Sequence, residues 1–549
     1  MQGSYLIDCE NLCHLGEVFL DDMIFYHEKQ SLSAVKDSAR SWYTTHAGTT
    51  TTIYANFGSA NPNTQSSEIN ARELVFGSKT LHLNYITIDG LSIMQSAENW
   101  DKQENSTRYG LITTSGGKGW IIQNCIIKFA KMRGISMDHD GQVDDYNLIG
   151  HHIIRDNIIE ECGHAGVSGH AASASVISGN WIRNIHGTRP YFGVEQGGIK
   201  LHYAQDVLIS GNIISRVDAR EFSEGIWLDW QCQNNRITGN VIMDIGTVEA
   251  SENTSIHIEM SHGPNLVDNN ILLFTTTPNP TYYYHPSYFS DGTEIVNNLL
   301  FNTTVNLHKP DGRSPEYYAP HSLNPKGNAE PDNNDIKIYN NLFIKKAYFE
   351  LNTGLGPNSL LSNNAFMDSA EKYNDVNSVT SATRSNFTYA LDTINRSLTI
   401  SFNVGSDVVG MNCPLITSNL LGVVNTVNYS IQTAEGNPIT VDKDAYQVCR
   451  GNAPMPGPFQ SLKSGLNTFT IHPNSNFNYS SPCLATMGTS IQPPGRGNGH
   501  KPLLKAISSD EYYSLSGQKI NAKKKAALRA NTVLNQRINA KAETAASQK

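Results

Sequence analysis

Apolar and polar positions alternate with a period of two along Gly225-Ile-Trp-Leu-Asp-Trp230: Ile226 and Leu228 face one way, Trp227 and Asp229 the other. The same form recurs at Gly134-Ile-Ser-Met-Asp138, Gly166-Val-Ser-Gly-His170, Gly198-Ile-Lys-Leu-His202 and Ser255-Ile-His-Ile-Glu259. Aligned on the first residue, the second position is always a β-branched aliphatic and the fourth is apolar or glycine. The fifth is Asp138, His170, His202, Asp229 and Glu259 in turn. Stacked in register, such strands turn the fifth position into a column of titratable side chains on one outer face.

From about residue 80 a longer unit repeats: an aliphatic pair, a short polar gap, an Asn and more aliphatics. It reads Ile121-Ile-Gln-Asn124-Cys-Ile-Ile, Ile153-Ile-Arg-Asp-Asn157-Ile-Ile and Val176-Ile-Ser-Gly-Asn180-Trp-Ile, then continues through Asn212, Asn240 and Asn270. Weaker copies end at Asn298, Asn341 and Asn364. Most spacings fall between 23 and 33 residues, the range of solenoid repeats. One unit holds two or three short strands, too few to bury its own apolar face, so the units must stack. The recurrent Asn suits a turn in the left-handed region, and a stacked ladder would satisfy its amide. A leucine-rich repeat of similar period would need helical segments and a fixed leucine pattern, and neither occurs. The pattern predicts an all-β protein, a parallel β-helix.

The flanks break the period. Residues 1–66 contain Glu17-Val-Phe-Leu20, Asp22-Met-Ile-Phe-Tyr26 and the β-prone Thr50–Phe57, and predict a β-sandwich-like module that begins abruptly. Residues 67–495 form the β-helix with C-terminal β extensions, among them an antiparallel strand at Leu398–Val404 and a rigid loop at Ala453-Pro-Met-Pro-Gly-Pro-Phe459. Residues 496–549 turn Pro/Gly-rich and then Lys/Ala-rich, and predict a flexible tail.

Charge changes the picture only by exclusion. A net charge of -9 over 549 residues gives no basic patch for nucleic acid, and no apolar run is long enough to cross a membrane. The segment after Met1 has neither a basic region nor an apolar stretch typical of a signal peptide. However, Glu511–Ile520 resembles C-terminal segments of exported bacterial proteins, so periplasmic or secreted and cytoplasmic locations both stay open. The eight cysteines show no metal-ligand spacing and are expected mainly as small buried side chains.

Adjacent coils of a β-helix lie about 4.8 Å apart, so Asp229 and Glu259 on consecutive coils would hold their carboxyls about 5 Å apart. That suits a retaining glycosidase, whose nucleophile and acid/base sit about 5–5.5 Å apart; an inverting pair needs about 6.5–9.5 Å. One ionised carboxylate should raise its neighbour, which then holds the catalytic proton. His202 and His262 are placed to bond substrate or tune the pair, and Trp227 and Trp100 offer flat apolar faces to a sugar. Asp138-His-Asp140 with Asp144 and Asp145 reads either as a cation site or as a polar loop.

At these motifs the chain resembles glycoside hydrolase family 120, β-xylosidases on a right-handed parallel β-helix. Gly225-Ile-Trp-Leu-Asp-Trp230 and Ile256-His-Ile-Glu-Met-Ser-His262 carry the likeness, supported by Thr51–Phe57, Asn84–Gly90, Lys118–Ile122, Gly198–His202 and Pro454–Phe459. The resemblance implies Asp229 as nucleophile and Glu259 as acid/base. It further implies Glu195 and Trp100 as substrate contacts, and xylo-oligosaccharides as substrate with no cofactor and no metal. It also makes residues 1–66 the latter part of a sandwich inserted early in the helix. On that resemblance, the coils that precede the insert in the family are expected to be missing from this sequence. Ser215–Ser223 and Gly246–Asn253, on either side of the nucleophile, look longer than the family's loops.

Three other classes stay open on the residues. A β-helix polysaccharide lyase would use a basic side chain such as Lys200 with Ca²⁺. A polygalacturonase-like enzyme would invert and rely on aspartates. A non-catalytic carbohydrate-binding β-helix would bind without turnover. A long flat side suits self-association, so a homo-oligomer is expected.

Overall fold

Pairs of β-branched residues such as Ile121-Ile122 and Ile153-Ile154 favour short extended segments, and only one residue of each pair can face inward. In the computed structural model these segments stack as three parallel sheets of ten, ten and eleven strands. The described residues are 16–477 without 22–23, 71, 78–79, 99–108, 139–144, 186–195, 219–221, 247–251, 275–283, 308–309, 348, 352–354, 374 and 376, together with 483, 512–513 and 519–520.

The inward residues form ladders through the coils. In one sheet Ile122, Ile154, Ile177, Ile209, Ile237 and Val267 pair in register. In the next Ile127, Ile159, Ile182, Ile214, Ile242 and Leu272 do the same. All twelve are essentially without exposure. Each burial stabilises by about 1.5–3 kcal/mol relative to an exposed side chain, which is how units that cannot fold singly cohere.

Buried amides run beside them. The side-chain nitrogen of Asn180 donates to Asn212 Oδ1 at 2.9 Å, Asn212 to Asn240 at 2.9 Å and Asn240 to Asn270 at 3.0 Å. The ladder extends from Asn157 through Asn298 and Asn341 to Asn364. Each Asn oxygen also accepts the backbone N–H of its neighbour, so a stack of turns closes without orphaned polar groups. Two details differ from the sequence expectation. The left-handed residue is the one before the ladder Asn, such as Asp156, Gly179, Gly211 or Asn269. Asn124 occupies that left-handed position, and Cys125 takes the ladder position, donating its N–H to Asn157 Oδ1 at 3.0 Å.

Residues 16–70 hold, among the described residues, two three-stranded sheets and one short helix, Leu32–Lys36. Val18, Leu20, Tyr26 and Trp42 are the core of this segment. It packs on the solenoid through Phe19 against Phe129 and through Lys131, whose ammonium reaches Gly16 O at 3.1 Å and Glu28 Oε2 at 3.4 Å. At the other flank, Thr388–Asp392, Ser397–Val404 and Gly465–Ile471 make an antiparallel sheet, as the sequence suggested for Leu398–Val404.

The cysteine expectation is corrected in one pair: Cys449 and Cys483 form a disulfide. Cys125, Cys162, Cys232 and Cys413 are buried, while Cys9 and Cys13 lie outside the described residues. Residues 1–485 form one compact unit and 486–549 a second, in which Tyr512–Tyr513 pairs antiparallel with Lys519–Ile520. The rest of the tail for which flexibility was expected lies outside the described residues. Among the described residues no helix is long and apolar enough to cross a membrane.

Candidate active site

The third sheet carries the repeated motif, and its glycines explain the motif's first position. A Cβ on Gly225 would stand 2.4 Å from Ser255 O, and one on Gly198 would stand 2.6 Å from Gly225 O. The coils approach too closely there for a side chain. Beyond the glycine, the register is regular: His170 lies opposite His202, His202 opposite Asp229, and Asp229 opposite Glu259. Asp138 stands two residues beyond Ser136, which pairs with Ser168, so it continues the same column one coil earlier. Two residues before this column runs a second on the same face: Ser168, Lys200, Trp227 and His257.

Asp229 is 5% exposed, and its Oδ2 lies 2.6 Å from the Lys200 ammonium and 3.5 Å from His202 Nε2. Its other oxygen, Oδ1, is buried and accepts no hydrogen bond among the described residues. Lys200 is itself buried, with its Nζ 2.9 Å above the centroid of the Trp227 ring. The opposite face of Trp227 stacks on His257 at 5.2 Å and 11°. Both faces of this indole are therefore occupied by protein.

His257 Nδ1 lies 3.3 Å from Glu224 Oε1. Burial alone would favour the neutral imidazole. The Glu224 carboxylate, with Glu259 and Asp229 beyond it, outweighs burial and raises His257 to about 9.

Glu259 is more open than Asp229, its side chain 17% exposed. Burial pushes its carboxyl up, but His257, Lys200 and Arg313 together hold it below the usual range. This reverses the expectation that Asp229 would raise it. The reason is composition: three cations face Glu259, and a bare pair of acids was a poor picture of the site.

Arg313 comes from an insertion between the strands Val305–Leu307 and Lys337–Tyr339. Its Nη2 donates to Glu259 Oε1 at 2.9 Å, its Nε to Asp311 Oδ2 at 2.7 Å, and its guanidinium lies 5.7 Å from the Trp230 ring centre. The insertion is fixed to the helix. Tyr318 N donates to Gln233 Oε1 at 2.6 Å, and His262 Nε2 lies 3.1 Å from Ala329 O.

On the N-terminal side of Asp229 a small pocket is lined by Arg133, Asp138, His164, His170, Lys200 and His202.

The structure thus brings together Asp229, Glu259, His202 and Trp227. His262 is buried beneath the insertion, with its Nδ1 3.3 Å from Asp291, and stands there as an anchor for that segment. Trp100 and Glu195 lie outside the described residues, as do His139, Asp140 and Asp144 of the candidate cation loop. The middles of the two long loops, 219–221 and 247–251, are outside them too. Sequence reasoning missed Lys200 as the partner of Asp229, Glu224 as the partner of His257, and Arg313. The first was findable, since a residue two before His202 shares its face. Arg313 sits in an irregular insertion and gave no periodic signal.

Residues 109–300 match the family model for a right-handed β-helix region. No curated protein matches the chain. Among solved structures, XylC in complex with xylose is similar over 85% of this chain and 82% of its own, with 24% identity and a TM-score of 0.72. A glycoside hydrolase (13% identity, 60% of this chain and 56% of that one, TM-score 0.36) matches less well. So does the surface adhesin PfbA of Streptococcus pneumoniae (12% identity, 56% and 67%, TM-score 0.29). The likeness to XylC at this identity is one of fold, and with the match at 109–300 it makes the chain a right-handed parallel β-helix.

Proposed function

We propose that the protein is a retaining β-xylosidase of the family 120 type, an exo-acting glycoside hydrolase that releases xylose from xylobiose and xylo-oligosaccharides. One observation carries the reading: Asp229 and Glu259 stand opposite each other on adjacent strands of one face. Neighbouring strands are about 4.8 Å apart, within reach of the separation of about 5–5.5 Å used for double displacement. That XylC, with the same fold, was solved with xylose supports the choice of sugar.

In the first step Asp229 Oδ1 attacks the anomeric carbon of a β-linked xyloside. Glu259, protonated in the complex, gives its proton to the glycosidic oxygen, and the carbon–oxygen bond to the leaving group breaks. A xylosyl ester on Asp229 remains. In the second step Glu259 as carboxylate takes a proton from water, the water oxygen attacks the anomeric carbon, and the ester breaks. Two inversions leave the β configuration. Lys200, at 2.6 Å from Oδ2, orients the Asp229 carboxyl, whose Oδ1 accepts no hydrogen bond among the described residues. With its ammonium committed to Asp229 and Trp227, Lys200 favours this hydrolase over a lyase that would use it as the base.

The test is hydrolysis of p-nitrophenyl β-xyloside by the parent, Asp229→Ala and Glu259→Ala. The parent should release nitrophenol and Asp229→Ala should fall to background. Glu259→Ala should lose roughly 10²–10⁴-fold and be partly rescued by azide. Turnover unchanged in either variant would sink the assignment, and sugar binding without turnover by the parent would favour a binding module.

A further inference from the structure

The acid/base carboxyl of a retaining pair must hold a proton in one step and lack it in the next. Its charged neighbours decide which form the empty site favours. Those facing Glu259 come from every side: His257 on its own strand, Asp229 on the adjacent strand, Lys200 one coil further, and Arg313 from the insertion. Lys200 and His257 are buried and engaged with Asp229 and Glu224. Arg313 differs. Its side chain is 38% exposed, it bonds Glu259 directly at 2.9 Å, and it lies against Trp230, the residue that follows the nucleophile strand.

The polarity of the site places this contact. Glu259, the group that protonates the leaving oxygen, lies on the coil after Asp229. The leaving group therefore extends past Glu259, toward Trp230 and Arg313.

Resting on the assignment of Asp229 and Glu259 above, we propose that Arg313 is the positioning residue of the leaving-group side. In the empty site it holds Glu259 as a carboxylate, and an incoming leaving group separates the two, so that Glu259 turns to the glycosidic oxygen. The neighbouring Asp311, at 2.7 Å from Nε, keeps the released guanidinium in place for the second step, when Glu259 again needs to be anionic. The direction of the Glu259 shift agrees with this geometry.

The experiment follows the Glu259 carboxyl directly, by ¹³C NMR titration of the glutamate-labelled full chain, with the signal identified by its loss in Glu259→Gln. Arg313→Gln should raise the Glu259 titration by about one unit, and Arg313→Lys by much less. The basic limb of kcat/KM against pH on xylobiose should move up with it, since more Glu259 stays protonated. A titration that does not move in Arg313→Gln, or a uniform drop in kcat/KM with the limb in place, would overturn the proposal. The titration needs no turnover, so it decides the Arg313 contact even if xylosides prove not to be substrates. Circular dichroism of both variants separates a folding defect from either result.

Discussion

Lys200 and Arg313 divide the two carboxylates between them: the buried ammonium sits 2.6 Å from Asp229 and the half-exposed guanidinium 2.9 Å from Glu259. A buried cation has little freedom to leave, whereas an exposed one can exchange its partner for solvent or substrate. That contrast suits the proposed roles, a nucleophile held in one orientation and an acid/base that must alternate. Beneath them, His257 is raised to about 9, against 6.5 for an unperturbed imidazole, chiefly because Glu224 outweighs its burial. The sign follows from linkage. Stability from this pair is fully present below about pH 6.5 and is lost as pH rises through about 9. Urea denaturation of the parent should weaken across that window by up to about 3 kcal/mol, and His257→Gln should flatten the decline. Equal slopes in parent and variant would remove His257 as the cause. At this scale the facing of Asp229 and Glu259 was legible because a period of two puts the fifth residue of each motif on one face. Of the cations around Glu259, His257 on its own strand and Lys200 on a neighbouring one share that face, whereas Arg313 comes from an insertion and gave no periodic signal.

The Asn ladder is the element that keeps those strands in register, because each amide bridges one coil to the next and also caps a backbone group. Removing the Asn212 side chain would leave Asn180 N and Asn180 Nδ2 without their acceptor and Ile177 O without its donor, all of them buried. Buried polar groups left unpaired cost about 1–3 kcal/mol each, partly relieved by relaxation. Asn212→Ala should therefore lose roughly 2–4 kcal/mol in chemical denaturation, whereas Asn124→Ala, at a turn on the surface, should lose clearly less. Similar losses in both would contradict the distinction between ladder and turn. The repeat and its period were legible because stacked units must repeat their inward aliphatics. The one-residue frame at Asn124 and Cys125 was not, since a left-handed Asn and a ladder Asn look alike in sequence until the register is known. The disulfide between Cys449 and Cys483 was illegible for a related reason: it joins segments brought together by the C-terminal β extension, with no periodic pattern to mark them.

At the scale of the first unit, the solenoid supplies a rigid face and the irregular segments complete it. The N-terminal module packs on one flank through Phe19 and Lys131, and the insertion after Leu307 delivers Arg313 to Glu259. The fold class was readable from the hydrophobic repeat, but the insertion's docking depends on single contacts such as Gln233 to Tyr318 and His262 to Ala329. Such contacts have no signature in one sequence. The central claim is that Asp229 forms a covalent bond to the sugar, and it is tested most directly by trapping that bond. Incubation with a 2-deoxy-2-fluoro-β-xylosyl fluoride, followed by proteolysis and mass spectrometry, should add one fluoroxylosyl group to the peptide containing Gly225–Asp229. Asp229→Ala should remain unlabelled. Hydrolysis of xylosides with no trapped ester, or a label on another residue, would contradict the account.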